Sequence, residues 1–154
     1  MTIEDILPLG GIKIIGSASS KKRLFHDLGD LASTNFGIDH SVVVDALLER
    51  ETLGPTGVGH GVALPHARIA GLKKVRGLFI RLKKSLDFDS VDRQPVDLAF
   101  ALFAPEDAGV EHLKALALVS RTLRDEGIRT KLRANEDPNT IYTILTEAST
   151  AQAA

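Results

Sequence analysis

His66 follows Pro65 at the end of the apolar run Val62-Ala63-Leu64. Proline pushes the residue before it toward extended backbone, so the chain is expected to leave a sheet at Pro65 and present His66 on a loop. Strand ends and the loops after them are where α/β folds place binding and catalytic groups. An imidazole of ordinary pKa, about 6.5, is roughly three-quarters neutral at pH 7 and so offers a nucleophilic nitrogen. Arg50 lies near the end of a helical segment a few residues before a glycine-dense stretch, where its planar fork could clamp a phosphoryl group. His112 stands at the start of another helical segment just after Gly109, and a helix N-terminus favours anions. Each residue also has a plainer reading: a loop histidine without a role, a cation favourable at a helix C-terminus, and a half-exposed histidine in a cap region.

The glycines at 57, 59 and 61 permit close backbone approach. They do not form a P-loop, because no G-x-x-x-x-G-K-[ST] is present. Nor are they a dinucleotide fingerprint, because Val62-Ala63-Leu64 after them reads as strand and Pro65 would interrupt a helix. A metal site built from His60, His66 and His112 with Glu111 lacks any H-E-x-x-H or comparable ligand pairing. Arg121, Arg124, Arg129, Lys131 and Arg133 could face nucleic acid, but Asp125, Glu126, Glu136 and Asp137 interleave with them, the pattern of a solvated helix face.

The elements that must position these residues are punctuated by Gly and Pro. Thr2 and Asp5 are spaced to cap a short turn that Pro8 ends. Ile12 to Ile15 reads as a strand. Ser19 or Ser20 caps a helix with Leu24, Leu28 and Leu31 on one face, and Gly37 stops it. Asp39 starts a second helix on Val43, Val44, Leu47 and Leu48, ending near Gly54-Pro55. Two strong strands are expected at Val75–Leu82 and Val96–Ala104, the latter apolar enough to be buried on both faces, with Leu86-Asp87-Phe88 as a shorter one between them. Glu111–Arg124 reads as an amphipathic helix. Asp137 with Pro138 opens the last helix, through Ile141, Ile144 and Leu145. Helices interleaved with buried strands define an α/β class: a single domain with a mixed β-sheet flanked by α-helices on both faces. Residues 1–148 form that domain and residues 149–154 a flexible C-terminal tail.

The chain has 154 residues, 19 Lys plus Arg against 20 Asp plus Glu, and no Cys. One domain is the expectation at this length. Without cysteine there is no disulfide framework, thiol nucleophile or iron–sulfur ligation. A formal charge of −1 gives no bulk attraction to nucleic acid or anionic membrane. No apolar run reaches the ~18 residues of a membrane span, and MTIEDILPLGG lacks the pattern of a secretory signal. A cytoplasmic protein, not inserted in a membrane, is expected.

The segment Gly57-Val58-Gly59-His60-Gly61-Val62-Ala63-Leu64-Pro65-His66 resembles the active-site signature of enzyme IIA domains of the fructose–mannitol type in the bacterial phosphoenolpyruvate phosphotransferase system. Leu48-Glu49-Arg50-Glu51 is similar to the segment carrying that family's phosphate-site arginine. Gln94 to Leu102 resembles its long buried strand, and His112-Leu113 with Leu116, Leu118 and Ser120-Arg121 resembles the helix of its second histidine. The likeness runs in order from about Ile6 to Leu145. A single domain with no attached permease, together with Ser19-Ser20-Lys21-Lys22-Arg23 and the Gln94–Asp97 turn, resembles the nitrogen-related regulatory branch. Two positions depart from it: Pro55, where that branch usually has Ser, and His60, where an amide is common.

The resemblance implies that His66 accepts a phosphoryl group from a histidine phosphocarrier protein, through one neutral ring nitrogen while the other is held by an N–H hydrogen bond. Arg50 and His112 would supply donors to the phosphoryl oxygens, with Thr56, Gly57 and His60 as further phosphate contacts. No metal or cofactor is needed, because the group arrives activated on nitrogen. The implied output is control of regulatory target proteins, such as a potassium transporter or a sensor kinase, according to phosphorylation state. The alternatives are a sugar-specific enzyme IIA passing the group to an enzyme IIB, and a non-catalytic binding module. Val58, Val62, Leu64 and Ile69 are the expected apolar docking surface.

Overall fold

The computed structural model describes the backbone of residues 1–153 and the side chains of residues 1–148. Two long antiparallel strands form its spine: β5 (Arg76–Leu86) and β6 (Val96–Pro105). Their register sets Phe79 opposite Phe100 and Ile80 opposite Ala99. Strand β1 (Ile12–Ile15) runs parallel to β5 on one side. On the other side β6 pairs in parallel with two short strands in succession, β3 (Val62–Ala63) and then β4 (His66–Ile69). Strand β2 (Gly57–Gly59) completes the sheet as the antiparallel partner of β3.

Because side chains alternate across a strand, β6 feeds two cores. Leu98, Phe100, Leu102 and Ala104 face one cluster, and Ala99, Ala101 and Phe103 face the other. The first is closed by α1 (Ile3–Ile6), α4 (Val110–Arg124), α5 (Glu126–Arg133) and α6 (Pro138–Ala153). The second is closed by α2 (Lys21–Phe36) and α3 (His40–Thr52). Both faces are therefore covered by helices, and the near-continuous apolar composition of β6 follows.

The caps fall where the sequence places them. Ser20 Oγ accepts the Arg23 N–H, and Gly37 ends α2 in the left-handed region. Asp39 accepts the N–H groups of Ser41 and Val42 at the start of α3. Asp5 and Thr2 form the reciprocal bonds of a capping box at α1.

Two elements are additional to the sequence reading and two positions correct it. Helix α5 was not anticipated. Leu86 ends β5 instead of starting a strand of its own. The first glycines are a strand, joined to β3 by a two-residue turn in which His60 (φ +58°) and Gly61 (φ +79°) both take positive φ, the geometry that matches strand twist in a tight hairpin. His66 is the first residue of β4, not a loop residue. Pro65 breaks the edge but does not end it: its carbonyl accepts the Leu102 N–H at 2.9 Å, and pairing with β6 resumes at once. The side chains of the expected tail, and Ala154, lie outside the described residues, while the backbone of α6 is helical through Ala153.

Candidate functional site

The break at Pro65 turns the Leu64 carbonyl toward the histidine two residues on. His66 Nδ1 lies 2.9 Å from Leu64 O. A carbonyl can only accept, so Nδ1 carries the proton and Nε2 keeps its lone pair. The other side of the ring meets α3, whose last turn sends Arg50 Nε to within 3.2 Å of His66 Nε2. Arg50 Nη1 is fixed at 3.0 Å on the carbonyl of Gly54. A guanidinium can only donate, which independently demands the same tautomer.

His112 projects from the first turn of α4, its ring centroid 5.6 Å from that of His66. Its Nδ1 is buried and has no hydrogen-bond partner among the described residues. An orphaned buried N–H is rarer than an orphaned lone pair, which favours the proton on Nε2. No side chain among the described residues caps the Gly109 end of α4, so the positive end of this 15-residue helix is left open at His112. The three residues share a cleft of about 410 Å³ with Ala46, Glu49, Leu53, Ala67 and Arg68.

Burial lowers the pKa of His66, and the Arg50 charge pushes the same way against the opposing bond to Leu64 and charge of Glu51. Burial also lowers that of His112, followed by the charges of His66 and Arg68. Both rings are therefore held neutral at pH 7, the state in which one can attack and the other can donate.

The structure brings His66, Arg50 and His112 together and places the other candidates apart. Thr56 is buried with its hydroxyl on Glu51 Oε1 at 2.6 Å. Gly57 packs so closely on Ser90 that a Cβ there would collide with it. His60 sits on the β2–β3 turn, its N–H on Asp92 and its carbonyl receiving Arg133, and it faces a different recess with Ser120, Leu123 and Arg124.

The expected apolar docking surface needs correction. Val62, Leu64 and Ile69 are buried in the sheet, and Val58, though half-exposed, lines the His60 recess. Exposed apolar surface near His66 comes instead from Leu53 (81% exposed), and from Val110 and Leu113 on either side of His112. Arg68 is a further residue of the site that the sequence did not single out. Its Nη1 donates to the carbonyls of Glu106 (3.0 Å) and Ala108, tying β4 to the connection that leads into α4. The available signal was its spacing: two residues beyond His66 on a strand, it shares that residue's face.

A neutral imidazole with one nitrogen tied down and the other bare, flanked by a guanidinium and a second imidazole, is an arrangement chemically able to attack an anionic electrophile. Residues 6–148 match the family described as the phosphoenolpyruvate-dependent sugar phosphotransferase system, EIIA 2, and the chain belongs to that family. A nitrogen regulatory protein of Bradyrhizobium diazoefficiens is 46% identical over 145 residues, covering 94% of this chain and 95% of its own. A fructose-specific EIIA component of Haloferax volcanii is 36% identical over 146 residues, covering 94% and 95%. The crystal structure of the nitrogen regulatory protein IIA-Ntr from Neisseria meningitidis superposes with a TM-score of 0.87 at 40% identity, covering 94% of this chain and 99% of that one. Mannitol IIA of Escherichia coli shares the fold, with a TM-score of 0.75 at 19% identity over 90% and 97% of the two chains.

Proposed function

We propose that the protein is a phosphoryl-accepting regulatory component of a phosphoenolpyruvate-dependent phosphotransferase system, with His66 Nε2 as the acceptor atom. The observation that carries this reading is the pair of bonds on the His66 ring, Nδ1 to Leu64 O and Nε2 to Arg50 Nε. The donor is a histidine phosphocarrier protein. The Nε2 lone pair forms the new P–N bond as the carrier's P–N bond breaks, and the electron pair of that bond returns to the carrier's imidazole. Leu64 O keeps the proton on Nδ1 and stabilises the positive charge that the ring acquires. Arg50 Nε turns from the lone pair to the phosphoryl oxygens, while its Nη1 bond to Gly54 limits how far the fork can stray. His112 Nε2–H and the open end of α4 add donors to the same oxygens. Phosphoryl transfer depends mainly on such positioning and charge stabilisation.

The phosphoryl group adds about −1.5 to −2 charges beside the exposed Leu53, Val110 and Leu113. Target proteins read that change in the cytoplasm, where the carrier resides. The similarity to nitrogen regulatory proteins supports the regulatory reading. The similarity to a fructose-specific EIIA component supports a second one, passage of the group to an enzyme IIB.

Intact mass after incubation with phosphoenolpyruvate, the first enzyme of the system and the carrier tests the proposal. Wild type should gain one acid-labile phosphoryl group and a folded His66→Ala variant none. Uptake by His66→Ala would remove His66 from the role, and no uptake by wild type would leave a binding module. Adding an enzyme IIB then separates the two readings, since only a sugar-specific component gives the group up.

A further inference from the structure

The cleft does not explain Glu51. It neighbours Arg50 on the last turn of α3, yet its side chain points away from the cleft and is only 9% exposed. A carboxylate so buried must be partnered, and it is, three times. Oε1 accepts the Thr56 hydroxyl at 2.6 Å. Oε2 accepts the Thr56 N–H at 3.1 Å and the Lys21 ammonium at 2.8 Å. Lys21 is itself anchored, lying over the Phe88 ring and 3.6 Å from Asp89.

From Thr56 the bonds continue to the imidazole. The Thr56 carbonyl accepts the Leu64 N–H at 2.9 Å, and the Leu64 carbonyl holds His66 Nδ1 at 2.9 Å. The other side of the ring is held from the same place, because the Glu51 carbonyl receives the Gly54 N–H and the Gly54 carbonyl receives Arg50 Nη1. The Arg50 side thus runs through a main-chain carbonyl that any residue 51 would supply, whereas the Nδ1 side runs through the Glu51 carboxylate.

We propose that Glu51 is a positioning residue for phosphoryl transfer: its carboxylate, through Thr56 and Leu64, fixes the His66 tautomer with the proton on Nδ1. This rests on the reading of His66 as acceptor. Glu51 touches neither the ring nor the incoming group. It supplies a rigid seat for the carbonyl that chooses which nitrogen stays bare. Displacement of reacting groups by about 1 Å can slow a reaction about a hundredfold, so a loosened Leu64 carbonyl acts on rate as well as tautomer.

The test combines nitrogen-15 NMR of the His66 ring, which reads the tautomer directly, with the rate of phosphoryl uptake from the phosphorylated carrier. Wild type should show a single Nδ1–H tautomer. Glu51→Ala should show a tautomer mixture and slow uptake about tenfold or more. Glu51→Gln, which keeps one oxygen for Thr56 but loses the charge pairing with Lys21, should fall between them. Thr56→Val, which keeps the Thr56 N–H and carbonyl but removes the 2.6 Å bond, should show a smaller effect of the same sign. A purely structural role would lower the melting temperature of Glu51→Ala while leaving tautomer and rate within twofold of wild type, and that result overturns the proposal. Should Glu51→Ala not fold, an unchanged tautomer in both Glu51→Gln and Thr56→Val overturns it equally. If wild type takes up no phosphoryl group but the tautomer still depends on Glu51, the functional reading fails and the positioning role stands.

Discussion

Replacing Arg50 by Ala removes the guanidinium that, among the described residues, bonds the His66 ring. Its Nε is 3.2 Å from Nε2, and Nη1 is fixed 3.0 Å from Gly54 O, so the fork is already ordered and little entropy is lost when it meets a phosphoryl group. A charged donor in a half-buried site contributes about 1.5–3 kcal/mol. At 1.36 kcal/mol per factor of ten, Arg50→Ala should slow uptake about 10- to 150-fold. Arg50→Lys keeps the charge but cannot span Gly54 O and the phosphoryl oxygens together, and it should recover about tenfold of that loss at most. A second effect runs alongside. The Arg50 charge is one cause of the lowered His66 pKa, after burial, so its removal lets that pKa rise and moves the acid limb of the rate profile to higher pH. Rapid-quench measurement of transfer from the phosphorylated carrier, across a pH series, reads both. Arg50 also occupies the attacking lone pair in the resting state, so the opposite outcome is meaningful. A folded Arg50→Ala protein reacting as fast as wild type, or faster, would make Arg50 a gate on the nucleophile and refute its role as a phosphoryl ligand.

The lowered pKa values of His66 and His112 mean that the unfolded chain takes up protons more readily than the folded one below about pH 6.5. Stability should therefore rise with pH from the lowered folded values up to about 6.5 and level off above it, and urea midpoints should show a shallower rise in a His66→Asn/His112→Asn double variant; an unchanged slope would assign the dependence to other groups. Phe100 is fully buried at the centre of β6 beside Phe79, with ring centroids 6.1 Å apart, so Phe100→Ala should cost about 3–5 kcal/mol in urea unfolding. Leu113 is 65% exposed one residue from His112; Leu113→Glu should raise the carrier concentration needed for half-maximal rate while leaving the saturated rate within about twofold.

The fold was largely legible because its signals are local. Ser20, Gly37, Asp39 and Pro138 mark helix ends through chemistry that needs no partner, and Val96–Pro105 declares itself by composition. Helix α5 was hidden because it has eight residues with Gly127 in its first turn, and its core-facing stripe is only Ile128 and Leu132, too short to show a period. His66 was assigned to a loop because proline normally ends a strand. Whether an edge resumes after it depends on the partner strand, and that information lies about forty residues away in Leu102. The docking residues failed for a related reason. Val62 and Ile69 belong to strands covered on both faces, where no alternation marks an outward side, and Leu64 is buried in the break between β3 and β4. Arg50 and His112 were visible as residue types, but their approach to one ring is a property of the tertiary structure, and the role proposed for Glu51 is visible only in the chain of bonds.

The sheet concentrates its length in the middle. β5 and β6 run for 11 and 10 residues, whereas β1, β2 and β4 at its margins have four, three and four. Where β5 outruns β1, Lys83 and Lys84 occupy the open stretch, and the Lys84 N–H is taken by the Gly16 carbonyl. Unpaired strand edges invite pairing with another molecule's strand, and short or lysine-bearing edges discourage it. On the far margin β2 covers β3, and the break at Pro65 leaves only the four residues of β4 as a separate edge. A second copy is offered no long continuous edge, so the backbone break that positions His66 also shortens the ribbon open to another strand.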